Sequence, residues 1–181
     1  MVLESDRLNR VITDLLDLAR PKQVEPKMVD LAELVGELKN LISFDFEEVG
    51  ASLDCELETR SVFADEDSLK RALLNLIINS LESFTDDKQQ NRVIGLFSHT
   101  GDNGVWITVK DEGCGMSEKE KKQAFEPFFT AKPKGTGLGL ALVHKTMREH
   151  DGKVSLDSVS GKGTTISMFF PNPRPALQRG Q

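Results

Sequence analysis

The chain has 181 residues, 38% of them hydrophobic and 29% charged, an ordinary globular composition with room for one principal hydrophobic core. A formal net charge of −6 and an isoelectric point near 5.2 argue against a broad basic surface, so no nucleic acid partner is expected. Only Cys55 and Cys114 occur, in no metal-ligand spacing, which argues against a disulfide framework and for a reducing compartment.

No apolar run approaches the ~18 residues that span a bilayer, and the start of the chain lacks the basic-then-apolar pattern of a signal peptide. Between Glu4 and Arg20 the residues Leu8, Val11, Ile12, Leu15, Leu18 and Ala19 recur at helical spacing, and Pro21 ends the pattern. This amphipathic helix reads either as one arm of a bundle whose other arm is absent or as a helix packed on its own domain. Residues 22–30 are polar, contain Pro26 and read as a linker. A helical pattern through Leu34, Leu38, Leu41 and Ile42 then opens the compact part.

Short strands are expected over Ser52–Leu57 and Ser61–Ala64, followed by a long helix over Asp67–Phe84. Arg92–Ser98 and Val105–Lys110 read as a hairpin around Thr100–Gly104. A short helix over Ser117–Gln123, an apolar knot, a helix over Gly139–Glu149 and closing strands over Lys153–Asp157 and Thr164–Phe170 complete the pattern. Residues 172–181, rich in proline and without periodicity, read as a tail.

Three segments carry chemistry. In the helix over Asp67–Phe84, Leu69, Ala72, Leu73, Leu76, Ile77, Leu81 and Phe84 form the core stripe, while Asn75 and Asn79 stack at its edge. Asparagine is a mediocre helix former, and a neutral amide oxygen can ligate Mg²⁺ without competing with phosphate oxygens for it; two solvated asparagines give the same pattern. Asp111-Glu112-Gly113-Cys114-Gly115 follows a strand directly. It offers either a carboxylate held in a pocket, with backbone free to approach a ligand, or ordinary turn chemistry. Phe125–Thr130 is followed by Lys132 and Lys134 and then by Gly135-Thr136-Gly137-Leu138-Gly139 at the start of a helix, where backbone N–H groups form an anion site. The P-loop spacing and the dinucleotide fingerprint are both absent.

The order Asn75–Asn79, Asp111-x-Gly-x-Gly115, Phe125–Phe129, Gly135–Gly139 and Gly161-x-Gly-Thr164 resembles the ATP-binding domain of sensor histidine kinases, in the superfamily shared with DNA gyrase and MutL. That resemblance implies an α+β fold, a two-layer α/β sandwich of the Bergerat type with a mixed sheet, over residues 31–171. Residues 1–21 then resemble the second helix of a dimerisation bundle.

The resemblance also implies that ATP and Mg²⁺ are the cofactors. Asn79 is expected as the metal ligand, Asn75 beside it, and Asp111 as the reader of the adenine amine, with Gly113 and Gly115 shaping that wall and Thr164 assisting Asp111. Lys132, Gly135, Thr136, Gly137, Leu138 and Gly139 are expected around the phosphates, with Phe128 and Phe129 anchoring a short lid over Thr130–Lys134. Gyrase-like and MutL-like ATPases carry a glutamate four residues before the magnesium asparagine; Asn75 stands there, so hydrolysis is expected to be slow.

His99, His144 and His150 do not match the family's phosphoacceptor motif, and each reads as structural or exposed. The acceptor histidine is expected upstream of Met1, on the first bundle helix of a longer cytoplasmic or membrane-anchored parent. Expected partners are that helix, a response regulator receiver domain and, at full length, a second copy of the chain. A serine protein kinase or slow ATPase of the same superfamily, and a non-catalytic nucleotide sensor, are the alternatives.

Overall fold

The computed structural model describes residues 12–19, 23–84, 92–132 and 135–173. Within the expected first helix, 12–19 are helical (α1), with Ile12, Leu15 and Leu16 exposed; the rest of that segment, and most of the expected tail, lie outside the described residues.

The expected linker over 22–30 ends in a strand, β1 (Lys27–Asp30), paired antiparallel with β3 (Ser61–Ala64) from Lys27↔Ala64 to Asp30↔Ser61. Four residues with only Val29 turned inward carry too little alternation to announce a strand. Asp30 then caps α2 (Leu31–Leu41), its Oδ1 accepting from the N–H groups of Ala32 and Glu33 at 2.8 and 3.1 Å. Leu31, Leu34, Val35 and Leu38 bury the inner stripe of α2. The chain breaks at Ile42 into a second helix, α3 (Ser43–Val49), which the periodicity did not announce and which Gly50 ends in the left-handed region at φ 65°.

β2 (Ala51–Leu57) pairs parallel with β4 (Arg92–Gly101). The crossover between them contains β3 and α4 (Glu66–Leu81). β5 (Gly104–Asp111), β7 (Gly163–Pro171) and β6 (Lys153–Val159) add antiparallel, giving a five-stranded mixed sheet in the order β2-β4-β5-β7-β6. The expected mixed sheet and α+β architecture are what the chain forms.

Alternation in β4, β5 and β7 sends Ile94, Leu96, Ile107, Val109, Met168 and Phe170 into the core. There they meet Leu69, Leu73, Leu76 and Ile77 of α4 and Val143 and Met147 of α6 (Gly139–Glu149). The other face of the sheet carries Trp106 packed on Phe169, ring centroids 5.0 Å apart, and Thr108 bonded to Ser167 across β5 and β7 at 2.9 Å. All seven residues of the expected α4 stripe, Phe84 included, are buried, although the helix closes at Leu81.

Candidate functional site

The start of α4 is fixed by Asp65, whose Oδ1 accepts from Ser68 N–H at 3.0 Å and whose Oδ2 accepts from Glu25 N–H at 3.1 Å. The backbone N–H of Asp65 donates to His150 Nε2 at 2.9 Å. His150 is buried between α4 and α6, its Nδ1 bonded to the Thr146 carbonyl at 2.7 Å, a structural role. His144 packs its ring on Phe125 at 5.7 Å and His99 stacks on Trp106 at 6.5 Å.

Asn75 and Asn79 emerge half-buried at the edge of the apolar stripe of α4. They face the first turn of α6, where a Cβ on Gly139 would lie 3.5 Å from Asn79 Nδ2 and 3.7 Å from the Asn75 carboxamide. Asn75 Nδ2 is buried without a hydrogen-bond partner, a donor that calls for an acceptor.

Asp111 ends β5 and is buried, with 5% of its surface exposed. Ser80 Oγ donates to its Oδ2 at 2.9 Å and Gly113 N–H to its Oδ1 at 3.0 Å; Ser83 Oγ lies 3.2 Å from Oδ1 and shares its one proton between that oxygen and the nearer Ser80 carbonyl at 2.7 Å. Oδ2, with Ser80 as its donor, keeps a lone pair for a further donor. Ser80 and Ser83 were not singled out in the sequence. Their signal is two serines at i, i+3 just past Asn79, one in the last turn of α4 and one directly after its C-cap, within reach of the carboxylate that closes β5.

The glycines of this wall are close approaches. A Cβ on Gly113 would fall 1.8 Å from Ser83 Oγ; one on Gly115, at φ 62°, would fall 2.1 Å from the Val159 carbonyl oxygen. Cys114, exposed between them, donates its N–H to the Ser83 carbonyl at 3.0 Å and accepts from Gly161 N–H at 2.7 Å. Thr164 stands opposite Asp111 in the β5–β7 register. Its hydroxyl meets Ser158 Oγ at 3.0 Å, and Ser158 in turn accepts from Met116 N–H and donates to the Gly163 carbonyl, both at 2.8 Å.

The loop after α5 (Glu118–Gln123) is pinched where Phe128 N–H donates to the Gly137 carbonyl at 2.9 Å. Gly137 lies at φ 69°, with the space for its Cβ taken by the Phe128 backbone at 2.4 Å. The Phe128 ring, expected as an anchor, is 65% exposed; the anchor is its backbone, itself at φ 69°.

Gly135 N–H donates to the Lys132 carbonyl at 3.1 Å, and Leu138 N–H to Thr136 Oγ1 at 3.3 Å. Leu138 is buried at the start of α6 and makes no side-chain cap, so the first N–H groups of that helix, from Gly139 onward, present their positive end to an anion. The Lys132 ammonium lies 2.7 Å from Glu82 Oε2, 3.2 Å from the Asn79 carbonyl and 3.5 Å from Asn79 Oδ1. Lys134 lies outside the described residues. A cavity of about 340 Å³ is lined by Asn75 together with Asp17 of α1, Ser68, Arg71 and Lys145, and Asp17 pairs with Arg71.

One end of this arrangement can thus accept an amine, and the other can hold an anion with its counter-cation. Residues 64–174 match the family described as histidine kinase-, DNA gyrase B-, and HSP90-like ATPase. Over 173 residues (94% of the chain) the sequence is 35% identical to sensor histidine kinase ZraS of Escherichia coli K12, of which it spans 36%. It is also 35% identical to sporulation kinase A of Bacillus subtilis over 93% of the chain and 28% of that protein. The chain therefore spans about a third of the length of the curated relatives it matches. The catalytic domain of histidine kinase ThkA superposes on 82% of the chain and 96% of its own length, with a TM-score of 0.71 and 28% identity. With residues 64–174, more than half of the chain, inside the matched span and Asn79 and Asp111 both within it, the chain belongs to the histidine kinase-, DNA gyrase B- and HSP90-like ATPase family.

Proposed function

We propose that the chain is the ATP-binding catalytic domain of a two-component sensor histidine kinase, passing the γ-phosphate to a histidine on a bundle helix of its parent protein, for relay to an aspartate of a response regulator. The observation that carries the reading is the buried Asp111 carboxylate, oriented by Ser80 Oγ and the Gly113 N–H with one acceptor position left on Oδ2. Adenine presents an exocyclic amine to such an acceptor. Ser80 directly follows Asn79 in α4, which sets the base-reading end and the phosphate end on one rigid element.

At the phosphate end, Asn75 Nδ2 is a donor in want of an acceptor, and the α6 N-terminus supplies oriented N–H groups. Asn79 Oδ1 already draws a cation, the Lys132 ammonium, to 3.5 Å, so the donor set fits Mg²⁺, with Asn79 as its protein ligand. When bound, Mg²⁺ neutralises charge on the phosphates. The chain's own residues bind and orient the nucleotide, which is most of what phosphoryl transfer asks of a protein.

Asn75 cannot take a proton from water, which favours transfer to an external nucleophile over hydrolysis, and the named relatives are kinases. Dimerisation is assigned to the parent bundle, of which α1 would be one arm. The test is labelled ATP supplied to the chain together with the parent's phosphoacceptor segment. Label on an acceptor histidine with little free phosphate is expected; steady phosphate release without transfer would move the assignment to a slow ATPase.

A further inference from the structure

Helix α4 ends in an unfavourable charge pattern. Its last turn carries no basic residue, and Glu82 stands at its C-cap, a carboxylate at the negative pole of the helix, where the final carbonyls have no helical partner. The compensating charge comes from Lys132, 50 residues along the chain. Its ammonium pairs with Glu82 at 2.7 Å, donates to the Asn79 carbonyl at 3.2 Å and stands 3.5 Å from Asn79 Oδ1.

Three oxygens, one from a carboxylate, one from a helix-terminal carbonyl and one from a neutral amide, thus converge on a single cation. They are the oxygen types that a hard divalent cation also prefers. The 3.5 Å contact is too long for a firm hydrogen bond; the ammonium leans on Glu82 and the carbonyl, and the amide oxygen forms the open edge of its seat. A divalent cation on that amide oxygen and an ammonium a few ångströms away repel each other strongly in a half-buried place.

We propose that Lys132 is the resident cation of this seat in the nucleotide-free chain, that Glu82 positions it there, and that the divalent cation entering with the nucleotide displaces the ammonium from Asn79. This rests on the reading of the site as a Mg-ATP site and adds to it a competitor built into the chain. The end of α4 is neutralised in both states, by the lysine before loading and by the metal after it. Glu82 is a positioning residue, acting through Lys132.

The test is the affinity of the full chain for a fluorescent ADP analogue, measured with excess Mg²⁺ and again with a chelator. The quantity read is the ratio of the two Kd values, which reports the gain from metal and not the grip on phosphate alone. In Lys132→Met no ammonium has to leave, so the gain from Mg²⁺ is expected to rise about two- to fivefold, the scale of a partly exposed ion pair; Lys132→Arg keeps the original ratio. Glu82→Gln loosens the lysine and is expected to shift the ratio the same way by less.

An unmoved or reduced ratio in Lys132→Met, in a protein whose unfolding midpoint matches the parent, would mean that the lysine grips phosphate in every state and would overturn the proposal while leaving the Mg-ATP reading intact. An unmoved ratio in Glu82→Gln overturns the positioning role of Glu82. Failure of the unmodified chain to bind the analogue under either condition removes the functional reading and this proposal together.

Discussion

Residue 113 and Ser83 are so close that a Cβ on the glycine would lie 1.8 Å from the serine hydroxyl oxygen and 2.6 Å from its Cβ. That serine hydroxyl also lies 3.2 Å from Asp111 Oδ1, and the Gly113 N–H donates to the same oxygen, so Gly113→Ala should force the two segments apart, weaken the hold on the carboxylate and lower ATP affinity about tenfold or more, the loss of a hydrogen bond to a charged group. In the double variant with Ser83→Ala the nearest clash is removed, and affinity should recover in part. Isothermal titration of the three proteins checks this, and an unaltered affinity in Gly113→Ala would remove the glycine from the site.

Asp111 Oδ2 accepts from Ser80 and keeps a lone pair that the proposed nucleotide's base amine would use. Guanine offers a carbonyl oxygen where adenine offers an amine, so a carboxylate held in place repels it. The expected preference for ATP over GTP is about 100-fold or more, since sites built to hydrogen-bond one group reject its opposite. Asp111→Asn, able to present either oxygen or NH₂, should bind both weakly and discriminate little. Competition between the two nucleotides for one fluorescent analogue measures the ratio.

The turn between β6 and β7 allows a comparison between two glycines that both lie at positive φ. Gly161 has open space around its missing Cβ, whereas the Cβ of an alanine at 163, at φ 100°, would fall 2.0 Å from the Asp111 carbonyl oxygen. Gly161→Ala should cost about 1 kcal/mol, the strain of the left-handed region. Gly163→Ala should cost about 3 kcal/mol or more, because backbone must move. Thermal unfolding of the two variants gives the order directly; equal midpoints would contradict it.

Ser117 and Glu120 close a capping box at the start of α5. The Glu120 carboxyl is held below its ordinary value of 4.5 by the Ser117 hydroxyl first and by the Ser117 backbone N–H second. A carboxyl with a lowered folded value contributes its stability in full above the unfolded value and loses it as pH falls through the folded one. Glu120→Gln should therefore exchange the amides of α5 faster than the parent at about pH 6, and the difference should close towards about pH 3. Hydrogen exchange resolved to α5 is the measurement.

The parts of this architecture that rest on periodicity could be read before any coordinates. The stripe positions of α4, Leu69, Ala72, Leu73, Leu76, Ile77 and Leu81, are all buried, because a long amphipathic helix repeats its signal several times. β1 and α3 repeat theirs too few times, and the existence of β1 depends on partners such as Val62 and Phe63 of β3. Within the site, Asn75, Asn79 and Asp111 could be singled out as residue types with a chemical purpose. Ser80 and Ser83 could not, because what they do is defined by a carboxylate 31 and 28 residues away. Glu82 was hidden for the same reason, its partner Lys132 arriving from a distant loop. The Phe128 ring was misjudged because an aromatic in an apolar run reads as an anchor, whereas the loop here is held by the backbone pair of residues 128 and 137.

Asp65 joins three parts of the molecule through a single residue: one carboxylate oxygen receives Glu25, the other receives Ser68, and its own amide reaches His150. The polypeptide that leads into the domain is thereby fastened to the dipole-positive end of the same rod whose far half bears Asn75 and Asn79. Residue 25, the start of α4 and the end of α6 are therefore tied at one point, so a substitution that removes the Asp65 carboxylate would loosen the entry of the chain and the cap of its phosphate-end helix together.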